Sequence, residues 1–195
     1  KQTCYMKRFI NLIFAVLFMQ PILAQNNALW MRYPSISPDG TTIVFSYKGD
    51  LYKVSAEGGV ASALTTHEAH DYQPVWSRDG KKIAFASDRY GNFDVFVMPA
   101  SGGEATRLTH HSANDYPFDF STDNSTVLFG SARHTVNTNV RFPRGNLFLQ
   151  TYTVPVNGGR TVLVSATGME HPQYNRTGTR IIYQDRKGTE DPWRT

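Results

Sequence analysis

One block of residues recurs along this chain, and that recurrence restricts the fold more than any other feature. Ser37-Pro38-Asp39-Gly40 is followed by the apolar run Ile43-Val44-Phe45, and Ser77-Arg78-Asp79-Gly80, 40 residues later, by Ile83-Ala84-Phe85. Ser121-Thr122-Asp123-Asn124 with Val127-Leu128-Phe129 repeats the block after a further 44 residues, and Asn175-Arg176-Thr177-Gly178 with Ile181-Ile182-Tyr183 begins it again. A second landmark keeps the same period: Gly58-Gly59, Gly102-Gly103 and Gly158-Gly159 each follow an apolar segment, and Leu64-Thr65 and Leu108-Thr109 follow the first two pairs. Self-similarity at a period of about 40 to 45 residues marks units that bury their faces only by stacking on one another.

Each unit reads as four short strands. The first carries Ile36, Trp76, Phe120 or Tyr174, and the Asp-Gly or Asn after it suits the positive φ of a tight hairpin. The second is apolar on consecutive residues, so both of its faces are expected to be buried; a sheet with one wet face would alternate. The third places Tyr52, Phe96 and Tyr152 in register before the Gly-Gly turn, and the fourth ends near Leu64, Leu108 and Leu163. Gly, Pro and β-branched residues recur too often for sustained helices. The fold class expected is all-β: a β-propeller of four-stranded antiparallel blades, with three blades and part of a fourth, an open arc whose terminal faces stay partly apolar.

The beginning of the chain is of a different kind. Met6-Lys7-Arg8 opens a basic start, Phe9 to Leu23 is apolar, and Ala24-Gln25 offers a small-residue cleavage site, the layout of a signal peptide. Asn11, Gln20 and Pro21 interrupt the run, which makes it a poor membrane span. The expected division is therefore residues 1–24 as upstream residues and signal peptide and residues 25–195 as partial propeller, in an exported protein, periplasmic or secreted, without a stable membrane anchor. Without Lys1, Lys7 and Arg8 the 20 basic residues become 17 against 16 acidic, so the pI near 9.2 carries no argument for nucleic acid. The only cysteine, Cys4, goes with the same segment, leaving a mature chain that relies on its core rather than on disulfides.

Chemistry-bearing residues are present but not arranged as a catalytic site. His67-Glu68-Ala69-His70 and His110-His111 sit at equivalent points of two repeats, which points to a turn role, and the helical spacing of a zinc motif is missing. No Gly-x-Ser-x-Gly elbow occurs in the sequence. No catalytic residue, metal or cofactor is expected within this stretch. Asp88-Arg89 and Asp185-Arg186 recur after the second strand and are read as turn bonds or ion pairs, with a polar rim at the central channel as the alternative. Trp76 reads as core, whereas Trp30 and Trp193 stay undecided between core and contact surface. Asn124-Ser125-Thr126 and Asn175-Arg176-Thr177 match glycosylation acceptors but sit in turns that already favour Asn. The third repeat is longer: 35 residues separate Asp123 from Gly158, where 23 separate Asp79 from Gly102. The extra residues hold Arg133, His134, Arg141, Phe142 and Arg144, a candidate contact loop.

Ser37-Pro38-Asp39-Gly40, the stretch from Ala86 to Asp94 (Ala-Ser-Asp-Arg-Tyr-Gly-Asn-Phe-Asp) and that from Gly102 to Thr109 (Gly-Gly-Glu-Ala-Thr-Arg-Leu-Thr) resemble the WD40-like repeats of TolB and of tricorn-type proteases, over Leu29 to the end. Ala28 to Pro34, Tyr183 to Gly188 and Glu190 to Arg194 resemble exported tricorn-like serine peptidases of Bacteroides-type bacteria. That resemblance implies a large enzyme in which a propeller precedes a PDZ module and a C-terminal-processing-peptidase-like domain; none of its catalytic residues falls within this chain. The implied role is a non-catalytic module that guides or gates peptide substrates. Its expected partners are peptide or protein substrates and the remaining blades and catalytic domains of the same polypeptide, not nucleic acid. The alternatives are a TolB-type propeller binding proteins in the cell envelope, or the propeller of a prolyl-oligopeptidase-like exopeptidase.

Overall fold

A computed structural model of the chain describes residues 30–133, 149–166 and 168–184. Every regular element in them is a strand, as the repeats predict. Blade 1 contains β1 (Arg32–Ile36), β2 (Thr42–Tyr47), β3 (Asp50–Ser55) and β4 (Ser62–Ala63). Blade 2 contains β5 (Asp71–Trp76), β6 (Lys82–Ser87), β7 (Asp94–Pro99) and β8 (Thr106–Arg107). Blade 3 contains β9 (Asp115–Phe120), β10 (Thr126–Ser131), β11 (Gln150–Pro155) and β12 (Val162–Ser165), and a fourth sheet begins with β13 (Glu170–Tyr174) and β14 (Ile181–Gln184). Each blade is an antiparallel meander in chain order.

The hairpin joining first and second strands shows why the Ser-x-Asp-Gly block recurs. In blade 1 the Ser37 amide donates to the Thr42 carbonyl, and the Ser37 Oγ accepts the Thr42 amide at 2.9 Å. Asp39 accepts the Thr41 amide at 3.1 Å, and Gly40 takes φ +75°. Ser77, Asp79 and Gly80 reproduce this, and in blade 3 Ser121 and Asp123 do so with Asn124 at φ +59° in the glycine slot. Asn is the residue that enters the left-handed region at least cost after Gly. The glycosylation-like Asn124 and Asn175 are thereby placed in these turns.

Stacking follows from the doubly apolar second strands. Ile83, Phe85, Phe96 and Met98 of blade 2, with Trp76, pack against Val44 and Leu51 of blade 1. From its other face Ala84, Val95 and Val97 meet Phe120, Val127, Phe129, Tyr152 and Val154 of blade 3. Trp76 is core, as expected. Large apolar groups stay exposed at both ends of this stack: Met31 and Ile36 in blade 1, Val162 and Leu163 in blade 3, and Ile182 and Tyr183 in the fourth sheet. Blade 1 contacts blade 2 through β1 and β5, β5 contacts β9, and β9 contacts β13. The first strands therefore converge, while β4, β8 and β12 lie at the opposite edge of their sheets.

Candidate functional site in the cleft between first strands

Every first strand is irregular at the same place. Pairing with the second strand shifts between Arg32 and Ser35, between Tyr72 and Val75, and between Glu170 and Gln173. The residues at these bulges are Tyr33-Pro34, Gln73-Pro74 and His171-Pro172, and Tyr33, Gln73 and His171 take φ of +52°, +56° and +48°. Proline after them forbids a helical turn and removes one ladder donor. In blade 3 the proline stands one residue earlier, as Pro117, and the shift falls at Phe118 instead. A bulge re-aims the side chain it carries. Here the result is a cleft of about 430 Å³ lined by Tyr33, Gln73, Phe118, Asp119, His171 and Gln173 among others, drawn from all four sheets.

Side chains from neighbouring blades stitch the cleft wall together. The Trp76 indole N–H donates to the Ser35 carbonyl at 3.0 Å, and the Gln73 amide to the Pro117 carbonyl at 3.0 Å. The Tyr174 amide donates to Asp119 Oδ2 at 2.8 Å. Arg78 donates to the same carboxylate and, at 3.2 Å, to the Tyr174 carbonyl, so one arginine of blade 2 joins blade 3 to the fourth sheet. Burial pushes the Asp119 carboxyl above its ordinary range, against the opposing pull of the Tyr174 amide and the Arg78 guanidinium. Beside the cleft an aromatic chain runs from Tyr33 to Tyr72 (centroids 5.3 Å apart), then to Phe93 (4.8 Å) and Tyr116 (6.0 Å). Burial drives the Tyr72 phenol far above its usual pKa, helped by Tyr116.

Arg89 donates to the fully buried Asp71 at 2.7 Å, so the ion-pair reading fits Arg89. Asp88 accepts the His70 amide at 2.7 Å. Asp185 and Arg186 lie outside the described residues. Of the candidate contact loop, only Arg133 is described. It pairs with buried Asp115 at 2.7 Å and lies over the rings of Phe129 and Tyr152, repeating the Arg89 arrangement in blade 3. His134, Arg141, Phe142 and Arg144 lie outside the described residues, as do the proposed signal peptide and Trp193. Trp30 is 70% exposed, with the Arg32 guanidinium 5.2 Å from its ring. The repeated histidines are turn caps: the His67 and His111 Nδ1 atoms accept the amides of Ala69 and Ala113 at 3.0 and 2.9 Å. Among the described residues no group of three metal-ligating side chains forms. Also among them, no helix is long and apolar enough to cross a membrane.

Sequence reasoning singled out neither the Asp71 and Asp115 partners nor the cleft. A signal for each was present. Asp71 and Asp115 are separated by the same 44 residues as Arg89 and Arg133, and a proline follows Tyr33, Gln73 and His171 at equivalent points of their repeats.

The tricorn protease N-terminal β-propeller domain family matches residues 28–195. The chain belongs to that family. Similarity to curated proteins is more local for this tricorn-type propeller. A TolB homolog of Chlorobium luteolum is 39% identical over 57 residues, covering 29% of this chain and 13% of that protein. Dipeptidyl-peptidase 5 of Porphyromonas gingivalis is 33% identical over 71 residues, covering 31% and 10%. Among solved structures, TolB from Acinetobacter baumannii superposes with a TM-score of 0.61 at 20% identity, over 80% of this chain and 38% of that one. The tricorn protease crystal structure gives 0.51 at 16%, over 64% and 13%. A chain of a nidogen/laminin complex gives 0.61 at 7%, over 80% and 56%. The propeller thus spans about an eighth or less of the curated relatives' length, and these structural likenesses speak to the fold alone.

Proposed function

We propose that this tricorn-type propeller is a non-catalytic polypeptide-binding module, and that it guides or gates peptide substrates for an exported tricorn-like serine peptidase of the Bacteroides type. The observation that carries the reading is the cleft where four first strands converge, walled by bulged residues whose left-handed backbone costs energy of the kind retained where a side chain must be aimed. Local similarity to both a TolB homolog and a dipeptidyl-peptidase keeps two further readings open: an envelope protein-binding propeller and the propeller of a prolyl-oligopeptidase-like exopeptidase. The remainder of the third-repeat insertion, with His134, Arg141, Phe142 and Arg144, is part of the same proposal as an accessory contact. So is residues 1–24 acting as the export segment for a partial propeller over 25–195.

The test places a photo-crosslinking amino acid at Tyr33, in the cleft, and at Val60, which is 97% exposed and away from it. In cells producing the protein, heterogeneous peptides should be captured from position 33 and not from 60. Capture of one folded protein from both positions favours the TolB-type reading, and capture of no polypeptide at 33 refutes the proposal.

A further inference from the structure

The inner edge of a sheet that faces a polypeptide path is an obvious place for that polypeptide to pair as an extra strand, because an open edge offers unpaired N–H and C=O groups. The edge here has been closed. Each first strand carries a proline at or beside its bulge, namely Pro34, Pro74, Pro117 and Pro172, so a donor is missing at each of the four positions. Acceptors are partly engaged as well: the Ser35 and Pro117 carbonyls each accept one bond, from the Trp76 indole and the Gln73 side-chain amide of blade 2, and the Tyr174 carbonyl accepts one from the Arg78 guanidinium, also of blade 2. The Tyr174 amide, a donor an incoming strand would use, is held by Asp119.

What remains available in the cleft is side chains. Tyr33 and His171 are exposed, and Phe118 and Gln73 half-exposed. Aromatic faces with scattered amide and imidazole groups suit a ligand backbone that forms no ladder, which describes the polyproline-II conformation, whose carbonyls point outward and whose prolines stack on rings.

We propose that the cleft refuses strand addition and holds an extended polypeptide segment in the polyproline-II conformation through the side chains of Tyr33, Gln73, Phe118 and His171. This rests on the polypeptide-binding reading above and names how that site selects its ligand. The prolines lack a donor whichever segment arrives, so selection follows backbone conformation rather than a particular sequence.

The experiment is fluorescence anisotropy on the full chain with two labelled peptides of equal length, one proline-rich and one of alternating threonine and valine. The proline-rich probe should bind and the threonine-valine probe should not. Tyr33→Ala and His171→Ala should each weaken the proline-rich probe by about tenfold, the loss expected when a central contact is truncated. Pro74→Thr, which restores a donor and frees the bulge, should gain affinity for the threonine-valine probe. Thermal melting of each variant shows whether it has folded, and if Pro74→Thr has not, the two exposed alanine variants decide. Equal binding of both probes, or unchanged binding in both alanine variants, overturns this inference while leaving polypeptide binding intact. Failure of both probes to bind overturns both.

Discussion

Gly130→Ala tests how the third blade departs from the others. Gly130 is buried in the middle of β10, opposite Tyr116 on one side and Thr151 on the other. A Cβ added there would lie 2.5 Å from Phe118 Cε2, 2.8 Å from Phe118 Cζ and 3.2 Å from Leu149 Cβ. The equivalent second-strand positions in blades 1 and 2 carry Ser46 and Ala86, because there a proline stands in the first strand where blade 3 has Phe118. Two effects compete. Replacing a strand-interior glycine returns about 0.5–1 kcal/mol of backbone entropy. Overpacking a tight site costs roughly 1–3 kcal/mol, toward the lower end here because the half-buried ring can swing into the cleft. The clash wins, and the expected net loss is about 0.5–1 kcal/mol, or a Tm lower by roughly 1–4 °C for a domain of this size. Chemical denaturation of wild type, Gly130→Ala, Phe118→Ala and the double variant completes the test as a cycle. With the ring gone, Gly130→Ala should turn neutral or stabilising by up to about 1 kcal/mol. An equal cost in both backgrounds would refute the assignment of the glycine to the Phe118 ring.

Other expectations follow from the repeated bonds. Asp71→Ala strands the Arg89 guanidinium, 17% exposed, beside a core position, and should cost about 3 kcal/mol by urea denaturation, near the low end for a broken buried pair. Asn124→Ala keeps a Cβ at φ +59° but loses the side-chain amide that eases the left-handed region and accepts the Asp79 amide at 3.3 Å, and should cost about 1 kcal/mol, whereas Asn124→Gly should stay within roughly 0.5 kcal/mol of wild type. Asp39, Asp79 and Asp123 have carboxyl pKa values held below 3.8 first by a serine hydroxyl and then by a backbone amide, Asp123 at about 2. A depressed carboxylate stabilises the fold above its unfolded pKa and loses that contribution as pH falls through its folded one. The stability gap between wild type and Asp123→Asn should therefore widen as pH rises from about 2 to 4 and then level off; a gap independent of pH in equilibrium denaturation would dismiss the turn's role.

Much of the fold was legible because a stacked repeat writes itself into the sequence at each turn of the period. Second-strand runs such as Ile83-Ala84-Phe85 announce burial on both faces, and the Asp-Gly and Asn slots announce the hairpins, since each signal depends only on residues a few positions apart. Trp76 could be assigned to the core for the same reason. The cleft was not legible in that way. Tyr33 and His171 are far apart in the chain, and only the convergence of first strands places both in one wall.

Sequence alone determined the four-stranded unit, its turns and the side on which each apolar residue is buried, because the period-two geometry of a strand and the φ requirements of its turns are local. Only the tertiary structure decided what the polar residues do. Arg133 stands in a stretch that reads as a contact loop, yet its charge is committed to Asp115, a residue on a different strand. Asp119 occupies a strand position with no charged counterpart in the other blades, and is held there by Arg78 and the Tyr174 amide from the blades on either side. Buried polar groups take whichever partner lies within hydrogen-bond reach, and that distance is set by how whole blades pack, a quantity that no short window of sequence contains.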